Sequence, residues 1–207
     1  MTARDDILNA VRGGAAAAID LPKVSDFCSA PTDLVDVFAA ALARLDGKAI
    51  SHPASGVQHW LSTAFPNAPR VYSAVGEVSG TVEWAEFADW AAPADIDVMV
   101  MRTPLGVAET GSILLTETEI EVPTAAVLTE HLVVLLDPAD IVENLHLAYR
   151  NPAFQQAAYA VLLSGPSGSA DIGGVTVHPA QGVTTLTVVL SPRQNSGLPI
   201  NEQQRWQ

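Results

Sequence analysis

The sequence predicts an α/β fold, an open and mostly parallel sheet flanked by helices. Three observations carry this. The runs 97–101 (Asp-Val-Met-Val-Met) and 132–136 (Leu-Val-Val-Leu-Leu) are apolar almost throughout rather than alternating, as strands buried on both faces are. Such runs alternate with segments of helical spacing, the rhythm of βα units. Finally, 207 residues that are 48% apolar and 16% charged suit one domain with a sizeable core.

Residues 1–30 read as a helical appendage, 31–192 as the single α/β domain and 193–207 as a polar tail. In the appendage Ile7, Leu8 and Val11 give residues 5–12 helical spacing, and Gly13-Gly14 stops it. Thr32 or Asp33 can cap the next helix, where Leu34, Val37, Phe38, Ala41, Leu42 and Leu45 recur at i, i+3, i+4 and i+7 before Gly47. Strands are expected at 48–51 and 70–74, around a helix at 57–64. Further strands follow at 97–101, 111–115 and 132–136, with an antiparallel addition at 117–122. Asp137-Pro138-Ala139-Asp140 offers a capping carboxylate, a proline at the first helical position and a second acid near the positive dipole end, so a helix is expected to run to Tyr149. The last strands fall at 159–163, 175–177 and 184–190.

Twenty-three acidic against ten basic residues leave a net charge of −13, and only Lys23 and Lys48 are lysines. That excludes nucleic-acid or anionic-membrane binding by counterion release. The lone Cys28 forms no internal disulfide and cannot hold zinc or an iron–sulfur cluster, which take three or four thiolate or imidazole ligands. With no signal-type N-terminus and no long apolar run, the expectation is a cytoplasmic protein without membrane insertion.

Two loops carry residue types suited to chemistry. In Gly106-Val107-Ala108-Glu109-Thr110-Gly111-Ser112, placed after a strand, a glycine lets a substrate approach backbone N–H groups, and Glu109 can serve as base or nucleophile. The competing reading is a glycine-shaped turn with a solvated carboxylate. In 164–171, Ser164, Gly165, Ser167, Ser169 and Asp171 suit a concavity for phosphate or carboxylate, although the P-loop lysine is missing. An ordinary Gly/Pro/Ser loop is the alternative. Glu117, Glu119 and Glu121 fall on one strand face, which reads as a solvated or edge-protecting face before a hard-cation site. Of the five histidines only His131, beside Glu130 at a strand start, is a site candidate; none shows metal-ligand spacing. The tryptophans Trp60, Trp84 and Trp90 read as core or interface.

Taken in order, Ala108-Glu109-Thr110-Gly111-Ser112, His131-Leu132-Val133-Val134, the segment from Asp140 to Leu145, and the loop from Ser164 to Ile172 resemble the LUD-domain family over residues 32–190. The resemblance implies a fold similar to ribose-5-phosphate isomerase, glucosamine-6-phosphate deaminase and the CoA transferases. It also implies a part in oxidising L-lactate to pyruvate beside partner proteins that carry the iron–sulfur clusters, with no redox cofactor of its own. Ligand-binding candidates are Thr110, Gly111, Ser112, His131, Gly165, Ser167, Ser169 and Asp171, and Glu109 is the catalytic candidate. Gly168, Gly173 and the segment 177–182 depart from the family pattern. The alternative function is an isomerase or CoA-transferase type enzyme using Glu109, with residues 164–171 holding an anionic group. An oligomer is compatible with either reading.

Overall fold

A computed structural model describes residues 2–14, 22, 25, 27, 33–83, 95–119, 123–168, 177 and 182–193. Thr2 and Asp5 form a reciprocal capping box that opens α1 (Ala3–Gly13), none of whose residues is buried. Asp33 accepts from the N–H groups of Val35 and Asp36 and starts α2 (Leu34–Ala43). The chain continues through β1 (Lys48–Ser51), α3 (Val57–Ala64), β2 (Val71–Ser73), β3 (Val98–Arg102), β4 (Gly106–Val107), β5 (Ser112–Thr116), α4 (Pro123–Leu128), β6 (His131–Leu136), β7 (Ile141–Val142), α5 (Leu145–Arg150), α6 (Pro152–Gln155), β8 (Ala160–Leu163) and β9 (Thr185–Leu190).

Five strands form a sheet in the order β1-β9-β6-β3-β2, every pair parallel. The expectation of a mostly parallel sheet flanked by helices holds. Along β3, β6 and β9 alternate side chains point to opposite faces, and two apolar clusters result. Met99, Met101, Leu132, Val134, Leu136 and Val188 join Phe38 and Leu42 of α2 on one face. Val98, Val100, Val133, Leu135 and Val189 meet Val57 and Leu61 of α3 on the other.

A second sheet, in the order β7-β4-β5-β8, was not expected. Here β5 is antiparallel to both β4 and β8, so the strand anticipated near 111–115 belongs to a different layer from β3 and β6. Thr103, fully buried, shapes the crossing: its hydroxyl donates to Leu114 O at 2.5 Å and accepts from Leu105 N at 3.3 Å. The inner face of the second sheet (Ile113, Leu115, Ile141) completes the α2 cluster, while Leu105, Val107 and Leu114 pack under α5 and α6.

Two sequence expectations are corrected. The antiparallel addition at 117–122 is not found: Glu117 and Glu119 lie in a turn, and residues 120–122 lie outside the described residues. Glu117 accepts from Ala158 N and Tyr159 N at 2.7 and 3.0 Å, and these bonds hold its carboxyl below the usual range. Thr116 donates its hydroxyl to Glu119. Glu117 is exposed, as a solvated carboxylate is, but both groups sit in a turn and accept from backbone and hydroxyl donors rather than lining a strand face. The long helix from Asp137 to Tyr149 is likewise absent. Residues Pro138–Asp140 make one 3-10 turn, Ile141 and Val142 pair beside Gly106 and Val107, and Asn144 caps a new helix by accepting from Leu147 N. The capping signal at Asp137 was correctly placed, but the β-branched pair 141–142 finds a strand partner and ends the turn.

The strand expected at 175–177 and the polar tail fall largely outside the described residues, as do Cys28, Trp84 and Trp90. Among the described residues no helix is long and apolar enough to cross a membrane.

Asp137 gives a pH prediction. Its carboxylate accepts from Arg193 N at 2.7 Å and Ala139 N at 3.0 Å, and these bonds pull its pKa down. A depressed folded-state value contributes stability that is present above the unfolded value and lost as pH falls through the folded one. Denaturant midpoints should therefore drop below about pH 4, and Asp137→Asn should shrink the difference between pH 6 and pH 3. An identical drop in both proteins would remove Asp137 from the explanation.

Candidate functional site

The hairpin between β4 and β5 turns through residues 108–111 with Gly111 at φ +64°. Only glycine fits: a Cβ there would stand 2.2 Å from Leu42 N and 2.6 Å from Leu42 Cα. After β8, Gly165 at φ +76° makes an equally close approach, its Cβ position 2.1 Å from Leu45 O. Both loops singled out by the sequence are thus pressed against the carboxyl end of α2 and the turn that follows it, Gly111 on Leu42 and Gly165 on Leu45. The Cβ side of Gly111 is filled by α2 and that of Gly165 by the turn after it.

That packing aligns three hydroxyls. Thr110 Oγ1 lies 2.6 Å from Ser112 Oγ, which lies 2.5 Å from Ser164 Oγ. They line a cleft of about 430 Å³ between α2, α5 and the second sheet, with Arg44 and the apolar side chains of Leu45, Leu145, Tyr149 and Leu162. Three hydroxyls carry three protons, and two mutual bonds use two of them. One O–H is left to donate, and among the described residues no protein acceptor takes it.

Glu109, the catalytic candidate, has a backbone partner outside the cleft lining. The carboxylate is exposed, and its Oε2 accepts from Leu145 N at 3.2 Å, satisfying an N–H at the start of α5. Ser167 is turned away from the cleft, with its backbone N–H donating to Val183 O at 2.8 Å. A run of free N–H groups for an anion is therefore interrupted there. Ser169 and Asp171 lie outside the described residues.

His131 stands apart. It begins β6 at the amino edge of the parallel sheet, with Nδ1 2.9 Å from Thr185 Oγ1 and its ring 4.8 Å from that of Phe65. Loop 106–112 starts at the carboxyl side of the parallel sheet, where the Cβ position of Gly106 is 2.7 Å from Leu136 Cδ2 at the end of β6, and it reaches Leu42 of α2 at Gly111.

At the carboxyl edge a different set converges. Arg102 donates to Glu77 Oε1 at 2.6 Å and to Ser191 O at 3.1 Å, and His52 Nδ1 is 2.9 Å from Ser191 Oγ. Arg193 pairs with Asp140 at 2.8 Å. Sequence reasoning missed this cluster because positions 52, 77, 102 and 191 are scattered. The available signal was that His52 and Ser191 directly follow strands and Arg102 ends one. Both guanidiniums at this edge already hold carboxylates. Arg44 has no such partner among the described residues. For an anionic ligand the cleft is the better-equipped site, since no existing ion pair must break.

A parallel five-stranded sheet, a smaller mixed sheet and a cleft between the latter and α2 define a layered α/β domain. The chain belongs to the LUD-domain family, whose model matches residues 79–191, from the loop after β2 through β9. That family is linked in general to lactate utilisation. Among solved structures, a crystal structure of a DUF162 family protein from Deinococcus radiodurans is similar in fold, with a TM-score of 0.59 at 15% identity, covering 77% of this chain and 99% of that one. No curated protein matches this chain.

Proposed function

We infer that this chain is a component of an L-lactate utilisation system, acting in the oxidation of lactate to pyruvate beside iron–sulfur partner proteins and using the cleft to hold a small anionic ligand. The observation that carries this reading is the LUD-domain match over residues 79–191. A single cysteine in 207 residues leaves cluster ligands to the partners. Arg44 and the hydroxyl row supply a cation and a hydroxyl donor for a carboxylate. The alternative, an isomerase or CoA transferase acting through Glu109, is less supported, because that carboxylate holds the start of α5.

Cells lacking the chain should lose L-lactate consumption and regain it with the intact protein, and the tagged protein should co-purify with iron–sulfur proteins of the same pathway. Unaltered lactate consumption in its absence would remove the reading.

A further inference from the structure

The cleft is larger, and more apolar, than a three-carbon acid requires. Lactate takes the room of roughly four water molecules at about 30 Å³ each, a minor part of the 430 Å³ between α2 and the second sheet. What remains is walled by Leu45, Leu145, Leu162 and the ring of Tyr149. Leu45 and Tyr149 are 47% and 50% exposed, so apolar surface faces water there. Sites of this size with apolar walls and a few convergent polar groups are built for ligands with a hydrocarbon body.

The polar side chains that line the cleft are Arg44, Thr110, Ser112 and Ser164. Arg44 caps the C-terminal end of α2, where helix carbonyls present about half a negative charge. Its full positive charge outweighs that, and no carboxylate of the described residues neutralises it. The hydroxyl row of Thr110, Ser112 and Ser164 adds one available O–H, a donor for a neutral or weakly charged oxygen. A guanidinium matches a carboxylate in a two-pronged fashion, and a single hydroxyl donor matches one further oxygen.

We propose that the cleft binds a 2-oxo or 2-hydroxy monocarboxylate longer than three carbons, its carboxylate on Arg44, its 2-oxygen on the hydroxyl row and its hydrocarbon body against Leu45, Leu145, Leu162 and Tyr149. This rests on the reading of the cleft as the ligand site and names its substrate class. It does not depend on the lactate pathway, so loss of that assignment leaves it standing.

Calorimetric titration of the full chain with pyruvate, L-lactate, 4-methyl-2-oxopentanoate, phenylpyruvate and inorganic phosphate tests it. The two longer acids are expected to bind at least tenfold more tightly than pyruvate, L-lactate or phosphate. Arg44→Met, at an exposed position, should weaken them tenfold or more without changing the melting temperature. Ser164→Ala should reduce discrimination against 4-methylpentanoate, which lacks the 2-oxygen. No binding of the longer acids, equal binding of phosphate, or affinities indifferent to Arg44→Met would each overturn the proposal. Lactate consumption by cells carrying Arg44→Met is a separate readout and bears only on the pathway assignment.

Discussion

Gly111→Ala should destabilise the domain by about 2–5 kcal/mol, the sum of roughly 1–2 for a left-handed non-glycine residue and 1–3 for overpacking. The upper end is expected, because the added methyl would meet backbone: Leu42 N at 2.2 Å, Leu42 Cα at 2.6 Å and Ala41 C at 2.7 Å. A flexible side chain could rotate aside, whereas a helix turn cannot. Gly165→Ala should behave alike, since its Cβ would stand 2.1 Å from Leu45 O. Both glycines press on the end of α2, so the double variant should cost less than the two single losses added together: once the helix has shifted for one methyl, the second has more room. Gly76 has nothing within 4 Å of its Cβ position, and Gly76→Ala should stay within about 0.5 kcal/mol of the parent. Urea midpoints of the four variants check this. A loss below 1 kcal/mol for Gly111→Ala, or full additivity of the pair, would show that the hairpin is not held against α2 as described.

These glycines also mark what the sequence could and could not reveal. Loops 106–112 and 164–171 were recognisable as special from glycine and hydroxyl content alone. That Gly111 and Gly165 approach the same helix was not, because 54 residues separate them and nothing local encodes the contact. Strands β3 and β6 were legible because burial on both faces leaves a nearly unbroken apolar run. The second sheet was hidden by the shortness of β4 and β7, two residues each, which no periodicity can register. Ile141 and Val142 then looked like the inside of a helix begun at Asp137. Glu109 drew attention as a carboxylate in a glycine-bounded loop, yet its partner, Leu145 N, exists only because Asn144 starts a helix there. Arg44 went unnoticed because a lone cation at a helix end resembles any solvated one. Only the cleft beside it, and the absence of a partner carboxylate among the described residues, sets it apart from Arg102 and Arg193.

Phe38→Ala should cost about 3–5 kcal/mol, the usual loss for emptying a buried aromatic site. For a domain of this size that lowers the melting temperature by about 6–20 °C. Phe38 is fully buried and belongs to the cluster shared by the parallel sheet, the second sheet and α2. Of the two apolar faces of the parallel sheet, the one behind α3 (Val100, Val133, Leu135) would be untouched. The damage should therefore be uneven. Amide exchange should accelerate first in α2, whose hold on the core rests on Phe38, Ala41 and Leu42, while the central strands β6 and β9 keep protection close to the global limit. Val37→Ala on the same helix is the contrast: at 45% exposed it should alter stability by less than about 1 kcal/mol, although the helical spacing had placed Val37 on the buried face. Because α2 carries Arg44 and backs both glycine loops, the same opening would disperse the cleft before the sheet melts. Uniform loss of protection across α2, β6 and β9 would mean that helix and sheet unfold as one unit, and that the cleft survives for as long as the core does.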